Sequence, residues 1–188
     1  MKHRLYAGQA RNVGVELSSG QFLVFVDSDI DVSDSAIAFI KRTLSEYSAS
    51  AHCLVASPSV KKEAFSTNFQ AWIQHHRFFS LRHEERYLWG AFWGLKKDLF
   101  KRAGGFSDHL ISYEDFDLGW KLHDIGVPVK YHFGENILHL KKYTIFRLSL
   151  VWISRSQHML FYHLDSHKSS ILKKTGLRLS TTKLANRR

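Results

Sequence analysis

Five consecutive apolar residues, Phe22-Leu23-Val24-Phe25-Val26, run directly into Asp27-Ser28-Asp29-Ile30-Asp31. A run this short and this uniformly apolar predicts a strand covered on both faces, as in a parallel sheet. Helical patterns flank it. Ala7, Ala10, Val13 and Leu17 recur at helical spacing, and Ser18-Ser19-Gly20 ends that segment. Downstream, Ser33 or Asp34 can cap a helix whose apolar positions are Ile37, Ile40, Leu44 and Tyr47. Alternating helices and strands are the pattern of an α/β sheet. The length, 188 residues, suffices for one domain with a sizeable core. A composition 44% hydrophobic and 23% charged excludes a disordered or fibrous chain, and Cys53, the single cysteine, excludes a disulfide framework.

The same reading continues along the chain. Residues 52–57 predict a strand closed by Pro58, residues 90–95 another, and residues 97–103 a short helix ended by Gly104-Gly105. A helix is expected over 114–124, stopped by Gly126 and Pro128, with strands over 127–133 and 136–140 and helix from 144 to about 174. Residues 59–89 are rich in aromatics and histidine and are read as one helix over 68–79. The longest apolar stretch, 145–164, is interrupted by Arg147, Arg155 and His158, so no bilayer span is expected. No apolar segment follows the basic start, so no signal peptide is expected either.

Charge is distributed unevenly. The net charge is +10, and residues 141–188 carry eleven Lys and Arg against the single Asp165. The remaining 140 residues balance, so this is a neutral body with a basic tail. Basic residues mixed with Ile, Leu, Phe and Trp read as a surface helix meeting anionic lipid or a phosphate-bearing substrate. A solvated tail that only aids solubility is the alternative. Nucleic-acid binding fits less well, because such domains carry their charge on the folded body.

Two acidic clusters are candidates for chemistry. Asp27 and Asp29 follow a strand at i and i+2, a spacing that in extended backbone points both carboxylates the same way. Ligands gather beyond the carboxyl ends of strands in open α/β sheets, where such a pair could hold Mg²⁺ or Mn²⁺. Equally, aspartates there could merely start a turn and cap the next helix. Glu114, Asp115 and Asp117 open a later helix, where the macrodipole alone would explain them. One of them could also serve as a general base toward an alcohol. His139 lies at the end of a predicted strand and is more simply a packed residue than a ligand. No histidine spacing suits zinc.

In order along the chain stand Gly8-Gln9-Ala10-Arg11-Asn12-Val13-Gly14, the run from Phe22 to Asp29, Gly90-Ala91-Phe92, Gly104-Gly105-Phe106, Glu114-Asp115-Phe116-Asp117-Leu118 and His139. Together these resemble glycosyltransferase family 2, inverting nucleotide-sugar transferases of the GT-A fold, over about residues 7–143. The resemblance implies that Asp29 ligates a Mg²⁺ or Mn²⁺ ion bridging the donor diphosphate, with Asp27 in the nucleotide and metal shell and His139 completing the metal site. It implies Asp115 as the base that deprotonates the acceptor hydroxyl, with Glu114 beside it. Arg11 and Asn12 would pack beneath the nucleotide, and Gly90 and Ala91 would line the sugar site. The donor would be UDP- or dTDP-linked and the acceptor a glycan or lipid-linked hydroxyl, with no nucleic acid involved.

The expected architecture is therefore a GT-A-type, mostly parallel sheet flanked by helices over 1–143, followed by a basic amphipathic helical tail over 144–188. The location expected is cytoplasmic, peripheral on the inner face of the membrane. Family members open with a strand, a helix and a second strand that this sequence lacks, so Phe22–Val26 is expected to have an open edge and activity to be weak or lost. The competing expectation is a non-catalytic glycan- or partner-binding module using Trp72, Trp89, Trp93 and Trp120.

Overall fold

The computed structural model describes residues 5–55, 91–133 and 137–140, together with Phe69, Leu88, 144–147, 149, 150 and 153. Apart from Phe69, the helix expected over 68–79 lies outside these residues, as do Gly90, Trp72, Trp89 and most of the tail. By its internal contacts the chain divides into two compact units, Met1–Leu150 and Val151–Arg188. Every element below belongs to the first.

Helix α1 spans Ala7–Leu17, strand β1 Phe22–Val26, β2 Ile30–Val32, helix α2 Asp34–Glu46, β3 Ala51–Leu54, β4 Phe92–Lys96, α3 Lys97–Arg102, α4 Glu114–Asp124, β5 Val129–His132 and β6 Ile137–His139. Local chemistry sets these limits. Ser33 caps α2 by accepting from the Ala36 N–H at 3.2 Å. Gly104 and Gly105, at φ 82° and 65°, supply the left-handed turn that ends α3, and Gly126 at φ 76° ends α4.

The main sheet has the order β1-β4-β3-β5. It is mixed: β4 runs antiparallel to both β1 and β3, while β3 and β5 are parallel. A separate antiparallel ribbon pairs β2 with β6. Side chains alternate across the sheet, as the pleat requires. Cys53, Trp93 and Leu95 join Val15, Phe100, Phe106, Leu118 and Leu122 in one core layer. Leu54 and Phe92 join Ile40, Leu44 and Ile137 in the other. Each fully buried Leu or Phe contributes about 1.5–3 kcal/mol, so the two layers hold the sheet between α1 and α4 on one side and α2 on the other. Gly94 lets α2 approach, because a Cβ there would stand 2.8 Å from the Leu23 carbonyl oxygen and 2.9 Å from Leu44 Cδ1.

The burial of Phe22–Val26 on both faces, expected from its sequence, is not found, since Val24 is 43% and Val26 48% exposed. The reason is position. β1 ends the strand order, and α2 packs over β4 and β3 instead. Among the described residues its outer edge is open, as expected for Phe22–Val26. Also among the described residues, no helix is long and apolar enough to cross a membrane.

Candidate active site

The site is built on helix α1. Gly8 lets α1 lie against the start of α4, since a Cβ there would meet Phe106 Cβ at 3.1 Å and Glu114 Cβ at 3.3 Å. One helical turn later on the same face comes Arg11. Its Nη2 donates to Asp27 Oδ1 at 2.6 Å and its Nη1 to Glu114 Oε1 at 2.7 Å. The guanidinium also lies 5.5 Å from the centroid of the Phe106 ring. A planar fork can serve two carboxylates at once, which a lysine ammonium does poorly. One guanidinium thus joins the carboxylate that closes β1 to the carboxylate that opens α4, 87 residues later in the chain.

Charge in this cluster is not balanced. Burial pushes the Asp27 carboxyl above the usual carboxylate range; Arg11 opposes that shift, while Asp29 and Glu114 add to it. Burial works against the charged guanidinium of Arg11, but Asp27 and Glu114 outweigh it and hold its pKa up. Among the described residues, Asp27, Asp29 and Glu114 gather near the one guanidinium of Arg11, and their mutual repulsion adds to what burial does to Asp27, so negative charge is in surplus there.

Asp27 and Asp29 do not point together as extended backbone would have them. The Ile30 N–H donates to the Asp27 carbonyl at 3.1 Å and closes a turn over Asp27-Ser28-Asp29-Ile30. Asp27 is therefore directed to Arg11, and Asp29 to the β2–β6 ribbon. There the Leu140 N–H donates to the Asp29 carbonyl at 2.7 Å, and Asp29 Oδ2 lies 3.8 Å from His139 Nε2. Register explains this proximity, because Ile30 pairs with His139. Among the described residues, no group of three His, Cys, Asp and Glu converges to hold a metal, so Asp27, Asp29 and His139 are not a complete three-ligand set. The turn and the Arg11 bridge draw Asp27 away from the other two.

Ala91 is buried, and its carbonyl accepts from the Asp27 N–H at 2.8 Å, which extends the β1–β4 pairing to the acidic end. Asn12 Oδ1 accepts from the Phe106 N–H at 3.1 Å, while its Nδ2 donates to the Phe106 carbonyl at 2.9 Å and to Asp108 Oδ1 at 3.1 Å. The amide thereby ties the loop after Gly105 to α1. At the head of α4, Tyr113 adopts φ 63°, a left-handed conformation unusual for a bulky residue. Of the acidic residues that follow, Asp117 accepts from Ser107 Oγ at 2.6 Å and pairs with Lys121 at 2.9 Å. Asp115 Oδ1 accepts from the Phe116 N–H at 2.9 Å.

Sequence reasoning missed the roles of Ser107 and Lys121, although the i,i+4 spacing of Asp117 and Lys121 carries that signal. Nothing in the sequence alone signals the Arg11 bridge. Trp93 is fully buried between Phe25 and Phe106, so it cannot stack on carbohydrate. An open groove of about 720 Å³ runs between Leu5, Gln9 and Val13 of the first segment and Lys101, Gly104 and Asp108. None of the clustered carboxylates lines it, so the chemistry is located by the carboxylates and not by this cavity.

No protein-family model matches the sequence, and no curated protein does. Solved structures do match. One is the mannosyltransferase PcManGT from Pyrobaculum calidifontis in complex with GDP-Man and Mn²⁺, at TM-score 0.62 and 17% identity over 89% of this chain. Another is GalNAc-T7 with UDP, GalNAc and Mn²⁺, at TM-score 0.52 and 14% identity over 76% of this chain. This chain spans 45% of the length of the first and 31% of the second. At these identities the likeness is one of architecture, and the chain has the α/β fold of these glycosyltransferases.

Proposed function

We propose that this chain transfers a sugar from a nucleotide-sugar donor to an acceptor hydroxyl, with inversion, as a metal-dependent member of glycosyltransferase family 2. The observation that carries this reading is the Arg11 bridge, which gathers the carboxylates closing β1 and opening α4 into one site. An inverting transfer needs two separate functions, a cation held against the leaving diphosphate and a base for the attacking alcohol, and carboxylates can supply both the cation's ligand and the base. Two clusters far apart in sequence and joined in space suit that division.

Asp29 and His139 would hold the divalent cation. Their facing atoms are 3.8 Å apart, which brings a carboxylate and an imidazole within reach of one ion. The carboxylate suits Mn²⁺ or Mg²⁺, whereas the imidazole, a softer nitrogen donor, favours Mn²⁺ of the two; Mg²⁺ is commonly held by one or two carboxylates with phosphate oxygens and water filling the rest. When bound, the cation supplies electrostatic stabilisation of the charge that builds on the leaving diphosphate. The surplus negative charge around Asp27, Asp29 and Glu114 favours such an ion. Both solved neighbours are complexes with Mn²⁺ and with a nucleotide or nucleotide-sugar, which supports the same cofactor and donor class here.

Asp115 is the residue assigned to take the proton from the acceptor. Glu114 and Asp117 each pair with a cation, Arg11 at 2.7 Å and Lys121 at 2.9 Å, and so brace the head of α4 on either side of it. Arg11 positions Asp27 and Glu114, Asn12 positions the loop beneath, and Ala91 would line the sugar site, to which the family resemblance also assigns Gly90.

Thermal unfolding with Mn²⁺ and UDP, dTDP or GDP tests this reading. Binding to the folded state raises the melting temperature, and the rise should need both metal and nucleotide and disappear in Asp29→Ala. No rise with any of the three at millimolar concentration overturns the donor assignment.

A further inference from the structure

Several large apolar side chains stand in solvent within a short stretch of sequence. Ile145 is 72%, Phe146 74% and Leu150 50% exposed, and Ile153, in the second compact unit, is itself 57% exposed. Residues 145–147 are helical, and Thr144 caps their first turn by accepting from the Arg147 N–H at 3.2 Å. Ser149 Oγ donates back to the Ile145 carbonyl at 3.0 Å. Phe146 and Leu150 are one helical turn apart and share a face. Scattered exposed apolar residues need no explanation, but adjacent ones mark a surface that meets something.

Charge decides what that something is. Residues 141–188 carry eleven basic side chains against Asp165 alone, while the rest of the chain is neutral. A nucleic acid would answer the charge and leave Ile145, Phe146 and Leu150 in water. A second copy would cover the apolar face but bring two positive tails together. A bilayer with anionic headgroups answers both, since its boundary region takes apolar side chains and its surface potential attracts cations. We infer that Ile145, Phe146, Arg147 and Leu150 form a docking surface for an anionic lipid bilayer, with Phe146 and Leu150 entering the headgroup boundary and Arg147 beside them meeting the lipid phosphates. This inference stands apart from sugar transfer, because such a helix would hold the chain at a membrane whether or not a donor binds.

Co-sedimentation of the full chain with phosphatidylcholine vesicles, with and without phosphatidylglycerol, tests it. Binding should require the anionic lipid and weaken at high salt. Arg147→Gln should lower the partition coefficient about fivefold. Phe146→Asp with Leu150→Asp should lower it about tenfold or more, with the far-UV spectrum unchanged because both side chains are exposed. The lipid and salt comparisons use the unaltered protein, so they decide the matter even if the double variant misfolds. Equal binding to neutral vesicles overturns the inference. So does an absence of vesicle binding, whether accompanied by binding to a short DNA duplex or by a dimer that the double variant abolishes.

Discussion

Acid should destabilise this protein through two histidines that take no part in the proposed chemistry. His52 on β3 is buried, and His132 stands two positions further along the neighbouring β5. His52 Nδ1 and His132 Nε2 are 3.1 Å apart, and His52 Nε2 is 2.9 Å from the Tyr47 carbonyl at the end of α2. A carbonyl only accepts, so His52 Nε2 carries the proton, its Nδ1 accepts, and the His132 Nε2–H donates. Both rings are satisfied when neutral. Burial lowers the His52 pKa and Lys130 adds to this, against the help of the Tyr47 carbonyl. Burial also lowers His132, reinforced by His52, from 6.5 to about 4. The sign follows directly. The unfolded chain takes up the proton first as pH falls, so the stability is fully present above 6.5 and declines until the folded value near 4 is reached. Between about pH 7.5 and about pH 5, His132 alone removes about 2 kcal/mol, and His52 adds to the loss. Urea unfolding followed by circular dichroism, on the unaltered chain and on His132→Gln, measures this. The glutamine amide can still donate to His52 but does not titrate, so the variant should lose about 2 kcal/mol less over that interval. Asp27, whose pKa is raised, acts with the opposite sign in both proteins and cancels. An equal loss in the two proteins would refute the reasoning.

Two further perturbations test the framework of the site. Arg11→Met should destabilise by about 2 kcal/mol at neutral pH, somewhat below the cost of breaking a fully buried pair because Asp27 is a third exposed, and Arg11→Lys should restore only part; urea midpoints check both. Gly94→Ala should cost about 2–3 kcal/mol, since its Cβ would stand 2.8 Å from a backbone oxygen that cannot move aside, and the melting temperature should fall accordingly.

Much of the fold is legible locally. The limits of α1, α2, α3 and α4 follow from helical spacing, a serine cap and glycines at positive φ, all written within a few residues of the places they act. β2 is not legible, because Ile30-Asp31-Val32 is too short and too mixed to stand out and becomes a strand only by pairing with β6. The likeness of the acidic positions to a transferase is readable in order and spacing. Their orientation is not, since the turn at Asp27–Ile30 sends two neighbouring aspartates to different partners.

What the amino-acid sequence alone determined is the helices α1 to α4, the strands other than β2, and the residue types available for chemistry, because capping, periodicity and turn conformation depend on near neighbours. Tertiary structure alone decided that β1 would pair with an antiparallel β4, that Arg11 would join Asp27 to Glu114, and that His139 would reach Asp29. Each of those depends on segments distant in the chain meeting through a shared core, and no local pattern encodes which distant partner a strand edge or a guanidinium will meet.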